Sequence, residues 1–285
     1  MAELESALDR RLDAVGLAAH HRYVHTPAGR VHVLVAGEEA RALVFVPGLG
    51  ASVGDFPGLL VQLARRHRVV AVDLPGSGLS DWVAFKGHPG GPWNQAITAV
   101  VDQLGIAEFD LVGHSLGGLA AGGFAVANQE RVSRLVLLSP LGLSRRIPLH
   151  WNLALVPGTM DLLALSRRLT FAGSARGDAK WSDDRYARLV RRRFGSGSDL
   201  LLVGRLFQPL RLRSESELLP ALGLLSGRVL VVWGREDRQL LLRDADPQLS
   251  YYPGIRLDVV PDAGHLFPAT QAERTAGLIT KFLSS

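Results

Sequence analysis

One stretch restricts the folds open to this chain more than any other: FDLVGHSLGGLA, Phe109 to Ala120. An apolar run of strand character ends, a serine stands between glycines, and a helix-forming run begins. The pattern is G-x-S-x-G in the context that gives it meaning, with a strand before and a helix after. Such a serine has to adopt a strained backbone conformation, tolerable only where the residues two before and two after it lack bulk. Gly113 and Gly117 meet that need. The helix that starts after the serine directs unpaired N–H groups and a partial positive charge toward any negative charge forming there. The stretch therefore demands a strand–turn–helix unit inside a sheet, and it marks Ser115 as a candidate nucleophile.

The rest of the chain supplies more units of the same kind. HRYVHTPAGRVHVLVA (21–36) reads as two strands around a Thr-Pro-Ala-Gly turn. ALVFVPG (42–48), RVVAVDLPG (68–76), FDLVGH and RLVLLSP (134–140) read as buried strands. Helical patterns separate them, in FPGLLVQLARRH, NQAITAVVDQLGI (94–106, ending near Gly105) and LGGLAAGGFAVANQ. Strands return at RVLVVWG (228–234) and IRLDVVP (255–261), and TAGLITKFL closes the chain as a helix. Continuous apolar strands alternating with helices imply an α/β class with a mostly parallel sheet covered on both faces. Between about 141 and 220 no strand pattern occurs, and leucines, tryptophans and arginines recur at helical spacing. The expected organisation is a core of residues 1–140 and 221–285 carrying a helical insertion, 141–220.

Composition narrows the function. The chain has no cysteine, which removes disulfides and thiolate metal sites. The first residues, MAELESALDRRLDAVGLAAHH, mix acids and bases with scattered leucines and lack the plan of a secretory signal. No apolar run is long enough for a membrane span. The expectation is a cytoplasmic protein. Its net charge of +5 is uneven: residues 141–220 hold 14 Arg+Lys against 7 Asp+Glu, a local +7, so the remainder sums to −2. With the arginines scattered among leucines and no accompanying motif, nucleic-acid binding is not expected. The surplus marks a solvated surface or one that attracts anionic molecules.

A serine hydroxyl is a weak nucleophile without a base beside it. Two later strand ends offer the partners. VVWGRED places Asp237 just past one strand, and VVPDAGH does the same for His265. Asp237 would orient the imidazole and stabilise its protonated form, while His265 would take the serine proton. Glu236 and Asp262 are the competing acids, and Asp237 is preferred because it lies further into its loop. An oxyanion also needs two preorganised donors. One is the N–H of Leu116, directly after the serine, and the loop VFVPGLGAS is the source of the second. His25 and His32 are expected to face each other across the hairpin as a polar pair rather than a metal site.

By these motifs the chain resembles the α/β-hydrolase fold superfamily, in its capped, single-domain serine-hydrolase branch. Besides GHSLGG, it carries DLPGSGLSD (73–81), similar to the family's D-x-P-G-x-G-x-S-D stretch, with WGRED before the acid and AGH at the histidine. The resemblance covers about 21–140 and 221–285. It implies an eight-stranded sheet, a helical cap inserted after the sixth strand and lying over the active site, and no cofactor. One departure stands out: family members usually have His-Gly where this chain has Pro47-Gly48. By position, the second oxyanion donor becomes the N–H of Leu49.

A rival reading uses the same loop. Gly48-x-Gly50-x-x-x-Gly54 follows a strand and Asp73 ends the next one, as in a dinucleotide-binding protein. The glycine spacing is one residue too long, and that reading leaves Ser115, Asp237 and His265 unexplained. The preferred function is hydrolysis of carboxylic esters with short-to-medium apolar acyl groups through an acyl-enzyme. Trp151, Leu153, Leu155, Met160, Leu162 and Leu165 are candidates to line the acyl pocket or to pack the cap. The arginine pairs 145–146 and 167–168 are read as exposed charges that an acidic substrate would also meet. Carbon–carbon bond hydrolysis, thioester or lactone hydrolysis, and a low-turnover ligand receptor are the alternatives.

Overall fold

The computed structural model describes residues 1–27, 29–48, 51–81, 90–143, 185–194 and 218–285. Eight strands form one sheet: β1 (Ala19–Thr26), β2 (Gly29–Ala36), β3 (Ala42–Val46), β4 (Arg68–Val72), β5 (Phe109–His114), β6 (Val132–Leu138), β7 (Val229–Gly234) and β8 (Ile255–Val260). Their order is β1-β2-β4-β3-β5-β6-β7-β8. β2 runs antiparallel to both β1 and β4, and every pairing from β4 to β8 is parallel. The eight-stranded, mostly parallel sheet agrees with the sequence, as does an insertion between β6 and β7.

The described helices are α1 (Ala2–Asp13), α2 (Pro57–Ala64), α3 (Gly90–Gln103), α4 (Leu116–Ala127), α5 (Arg185–Phe194), α6 (Leu218–Leu222), α7 (Leu242–Leu249), α8 (Phe267–Thr270) and α9 (Ala272–Leu283). Successive strand side chains point to opposite faces, and the two hydrophobic cores divide the strands accordingly. Val44 and Val46 of β3, Leu135 and Leu137 of β6, and Val229, Val231 and Trp233 of β7 join α3, α4, α6 and α7 on one face. Leu43 and Phe45, Val136 and Leu138, and Leu230 and Val232 join α1, α2, α5 and α9 on the other. Apolar side chains on both faces are why these strands read as unbroken hydrophobic runs.

Two details differ from expectation. Helix α3 starts at Gly90 rather than 94, because Pro92 falls within its first turn, where a missing N–H costs nothing. The end of that helix is as expected: it stops at Gln103, with Gly105 at φ 67° and the Ile106 N–H returning to the Val101 carbonyl at 2.8 Å. Helix α1 was not anticipated at all. Leu4, Leu8 and Leu12 lie one above the other and bury themselves in the second core.

Of the insertion, α5 and the start of α6 are described. Tyr186 and Val190 of α5 pack into the core that contains α1. The Tyr186 hydroxyl meets Ser52 Oγ at 2.7 Å, and the Arg11 guanidinium lies 4.7 Å above its ring. Arg11 is buried and also donates to the Gly54 carbonyl at 2.7 Å. Trp151, Leu153, Leu155, Met160, Leu162, Leu165 and both arginine pairs lie outside the described residues.

Candidate active site

Parallel strands point their C-terminal ends the same way, so the loops after β5, β7 and β8 gather on one edge of the sheet. Ser115 follows β5 directly, with φ 55° and ψ −118°. The conformation is held from several sides. Its N–H donates to the Leu138 carbonyl at 2.9 Å, and its carbonyl accepts from the N–H groups of Gly118 and Leu141, each at 2.9 Å. The two motif glycines have distinct steric reasons. A Cβ on Gly117 would lie 2.3 Å from the Val46 and Pro47 carbonyl oxygens, and one on Gly113 would lie 2.4 Å from the Gly117 oxygen. Leu116 is the first residue of α4, so its N–H has no carbonyl four residues back within the helix. Leu49 lies outside the described residues.

Asp237 and His265 are in contact: His265 Nδ1 is 2.7 Å from Asp237 Oδ2, and both side chains are buried. Because the carboxylate can only accept, Nδ1 carries the proton and Nε2 is left for another partner. The other carboxylate oxygen, Oδ1, accepts from the N–H groups of Gln239 and Leu240 at 2.8 and 2.9 Å. Burial pushes the Asp237 carboxyl up. The hydrogen bond and charge of His265 outweigh that, helped by the Leu240 N–H and the nearby Ser139 hydroxyl, and the net effect lies below the usual carboxylate range. Glu236 and Asp262, the competing acids, are exposed.

Two groups escaped the sequence reading. His114, the variable residue before Ser115, is buried with its Nε2 3.0 Å from the His265 carbonyl oxygen, and the two rings are 4.9 Å apart. Burial, with a smaller effect of His265, pushes its imidazole down to about 3, against the opposing bond to that carbonyl. Its place inside the motif was the available signal. Ser139, after β6, adopts φ 39° and is buried beside Asp237.

The histidine pair expected across the hairpin does not form. The register sets Tyr23 opposite His32 and His25 opposite Arg30, because only two residues separate the strands at the turn. His32 is instead buried between His21 Nδ1, at 2.9 Å from its Nε2, and Asp73 Oδ2, at 2.8 Å from its Nδ1. Asp73 also accepts from the N–H groups of Val53 and Leu79, at 2.8 and 3.0 Å. It is fully buried, which leaves no carboxylate free to receive a ribose and removes the dinucleotide reading. Among the described residues no group of three or more His, Cys, Asp or Glu side chains is disposed to hold a metal ion, and no helix is long and apolar enough to cross a membrane.

Comparison with known proteins points the same way. Residues 43–278 match the model of the alpha/beta hydrolase family. The 2-hydroxymuconate semialdehyde hydrolase of Pseudomonas putida is 31% identical over 227 residues, 78% of this chain and 78% of that one. The 2-hydroxy-6-oxo-6-phenylhexa-2,4-dienoate hydrolase of Burkholderia cepacia is 28% identical over 269 residues, 90% of this chain and 92% of its own. Among solved structures, naproxen esterase (carboxylesterase NP) from Bacillus subtilis superposes with a TM-score of 0.74 at 19% identity, covering 99% of this chain and 97% of that one.

Proposed function

We propose that this chain, which belongs to the alpha/beta hydrolase family, is a serine hydrolase that cleaves a bond beside a carbonyl through Ser115, and that the bond is carbon–carbon in its preferred substrate. The observation that carries the serine reading is the buried His265–Asp237 pair on the sheet edge where the strained Ser115 sits. His265 Nε2 takes the proton of Ser115 as Oγ attacks the carbonyl carbon. The oxyanion falls to the Leu116 N–H and, by position, that of Leu49. As the tetrahedral adduct collapses, the leaving group departs with its electron pair and receives the proton from His265. Water, deprotonated by the same imidazole, then releases the acyl group.

This sequence of steps is indifferent to whether oxygen or carbon departs, provided the leaving carbanion is delocalised. Support for carbon comes from the named relatives. A 2-hydroxy-6-oxo-dienoate contains no ester, so its hydrolysis breaks the carbon–carbon bond beside the 6-oxo carbonyl. The 2-hydroxyl proton has to move to C5 first, giving the 2,6-dioxo tautomer; the electron pair of the broken bond is then delocalised as a dienolate, and the proton from His265 makes it the dienol. Such substrates are anionic, and the insertion's surplus of basic residues suits them. Esters with apolar acyl groups, the first expectation from the sequence, are the second reading because the same nucleophile and base cleave them. We take residues 141–220 as the element that selects between the two.

The test is a two-substrate comparison on pure protein. 2-Hydroxy-6-oxo-6-phenylhexa-2,4-dienoate and a series of 4-nitrophenyl esters are assayed with Ser115→Ala as control. A kcat/KM for the dienoate at least ~10-fold above the best ester supports the carbon–carbon reading, and the reverse order overturns it. Turnover that survives in Ser115→Ala overturns the serine mechanism.

A further inference from the structure

We propose that His114 is a positioning residue for the hydrolytic step: its Nε2–H holds the main-chain carbonyl of His265 and thereby fixes the general base relative to Ser115. The inference rests on the reading of Ser115, His265 and Asp237 as the reacting set, and adds to it the group that joins the nucleophile's strand to the base's loop.

The hydrogen bond defines its own direction. Its acceptor is a carbonyl oxygen, so the proton of the neutral His114 ring sits on Nε2. That leaves Nδ1 as a bare acceptor, and no donor meets it although the ring is buried. An orphaned buried acceptor costs about 1–3 kcal/mol. The Phe56 ring packs edge-on against the imidazole at 5.5 Å. A leucine would occupy the same place without any orphan. What a leucine lacks is the N–H that reaches His265.

That carbonyl is a sensitive point. The imidazole of His265 is tied through Nδ1 to Asp237, but its Cα belongs to the loop between β8 and α8, which otherwise reaches the β7 loop through the Glu236 N–H and Ala263 carbonyl at 2.9 Å. The His114 bond grips the backbone at the base's own residue, and it comes from the residue adjacent to the nucleophile. One side chain thus sets the separation of two reacting groups that belong to different strands. A shift of about 1 Å in such a separation costs on the order of 100-fold in rate.

The choice of donor also fits the charge changes of the reaction. His265 becomes positive when it takes the serine proton, and a cation at 114 would oppose that. Burial keeps the His114 ring neutral, so it donates a hydrogen bond without adding a like charge.

The experiment compares wild type, His114→Leu, His114→Gln and Ser115→Ala, each titrated with a fluorophosphonate, whose addition to Ser115 depends on the His265 base and the oxyanion donors but not on the natural substrate, and then assayed for turnover. Leucine fills the space without a donor, and glutamine carries an N–H on a chain of similar reach. The expected result is a loss of roughly 10- to 100-fold in both the labelling rate and kcat for His114→Leu, with KM within about threefold. Recovery of most of that loss is expected in His114→Gln, although both variants lower Tm. Wild-type labelling in His114→Leu overturns the proposal, as does equal slowing of both variants. Absence of labelling in the wild type itself overturns the serine reading and takes this one with it. A second measurement needs no variant: nitrogen NMR of histidine-labelled wild type has to find the His114 proton on Nε2, and a proton on Nδ1 overturns the assignment.

Discussion

His32 Nδ1 lies 2.8 Å from Asp73 Oδ2, and neither side chain is exposed to solvent. This contact joins β2 to the end of β4, and through the Val53 N–H it also fixes the segment that follows β3. Three donors meet the Asp73 carboxylate: the His32 ring and the N–H groups of Val53 and Leu79. Asp73→Asn would present an amide N–H₂ to at least one of those donors. It is expected to lower stability by about 3 kcal/mol or more. Gly78→Ala is expected to do similar damage from the other side, because a Cβ there would fall 2.0 Å from Asp73 Oδ2. Urea titration of both variants checks the pair; unchanged midpoints would refute the role.

At Ser115 activity and stability are expected to move in opposite directions. Ser115→Ala removes the proposed nucleophile, so turnover is expected to fall by roughly 10⁴- to 10⁶-fold. The residue's φ of 55° burdens alanine as it does serine. Ser115→Gly relieves that strain and is expected to raise the unfolding free energy by about 1 kcal/mol while remaining inactive. Denaturant titration alongside the activity assay measures both effects, and a glycine variant no more stable than wild type would count against strain at this position.

Asp237→Asn is expected to cost roughly 10⁴-fold in kcat with little change in KM, since the amide no longer holds the imidazole in the useful tautomer. The folded carboxyl titrates below its unfolded value. Its contribution to stability therefore stands in full above about pH 4 and fades as pH falls through the lower folded value. The stability gap between wild type and Asp237→Asn is accordingly wide at pH 7 and narrows below about pH 4. Thermal melts across that range decide it.

His67 is buried with both ring nitrogens unpartnered, and burial lowers its pKa. His114 is lowered further, to about 3. Below about pH 6.5 the unfolded chain takes up protons at these two positions while the native protein refuses them, so stability declines with acidification. His67→Leu is expected to be at least as stable as wild type at pH 7 and to lose less between pH 7 and about pH 4.5. Equal acid sensitivity in the two proteins would exclude His67 as a contributor.

The sheet was legible because its central strands are apolar on both faces, which leaves a continuous run that few other structures produce. Ser115, Gly113 and Gly117 were legible for a related reason: the turn after β5 tolerates few side chains, so its demands are written into the residue types. Asp237 and His265 followed from strand ends. His32 was misjudged because sequence alone does not set the hairpin register, and a shift of two residues replaces one cross-strand partner with another. Its partners are His21 of β1 and Asp73, which follows β4. Helix α1 was missed although Leu4, Leu8 and Leu12 are spaced for it, because the charged residues between them dominate the local composition. His114 was hidden by the motif itself, whose variable position carries no demand until the His265 loop is folded against it.

Helix α5 bears on how this scaffold can be re-engineered. Tyr186 inserts from the stretch between β6 and β7 into a socket made by Arg11, Ser52 and Gly54, all contributed by the N-terminal part of the chain. Swapping that stretch for a relative's counterpart is thus more than a graft at two junctions. A chimera without an aromatic hydroxyl at 186 would leave Arg11 and Ser52 facing an empty seat, and a library that diversifies this stretch does best to keep Tyr186 with the recipient.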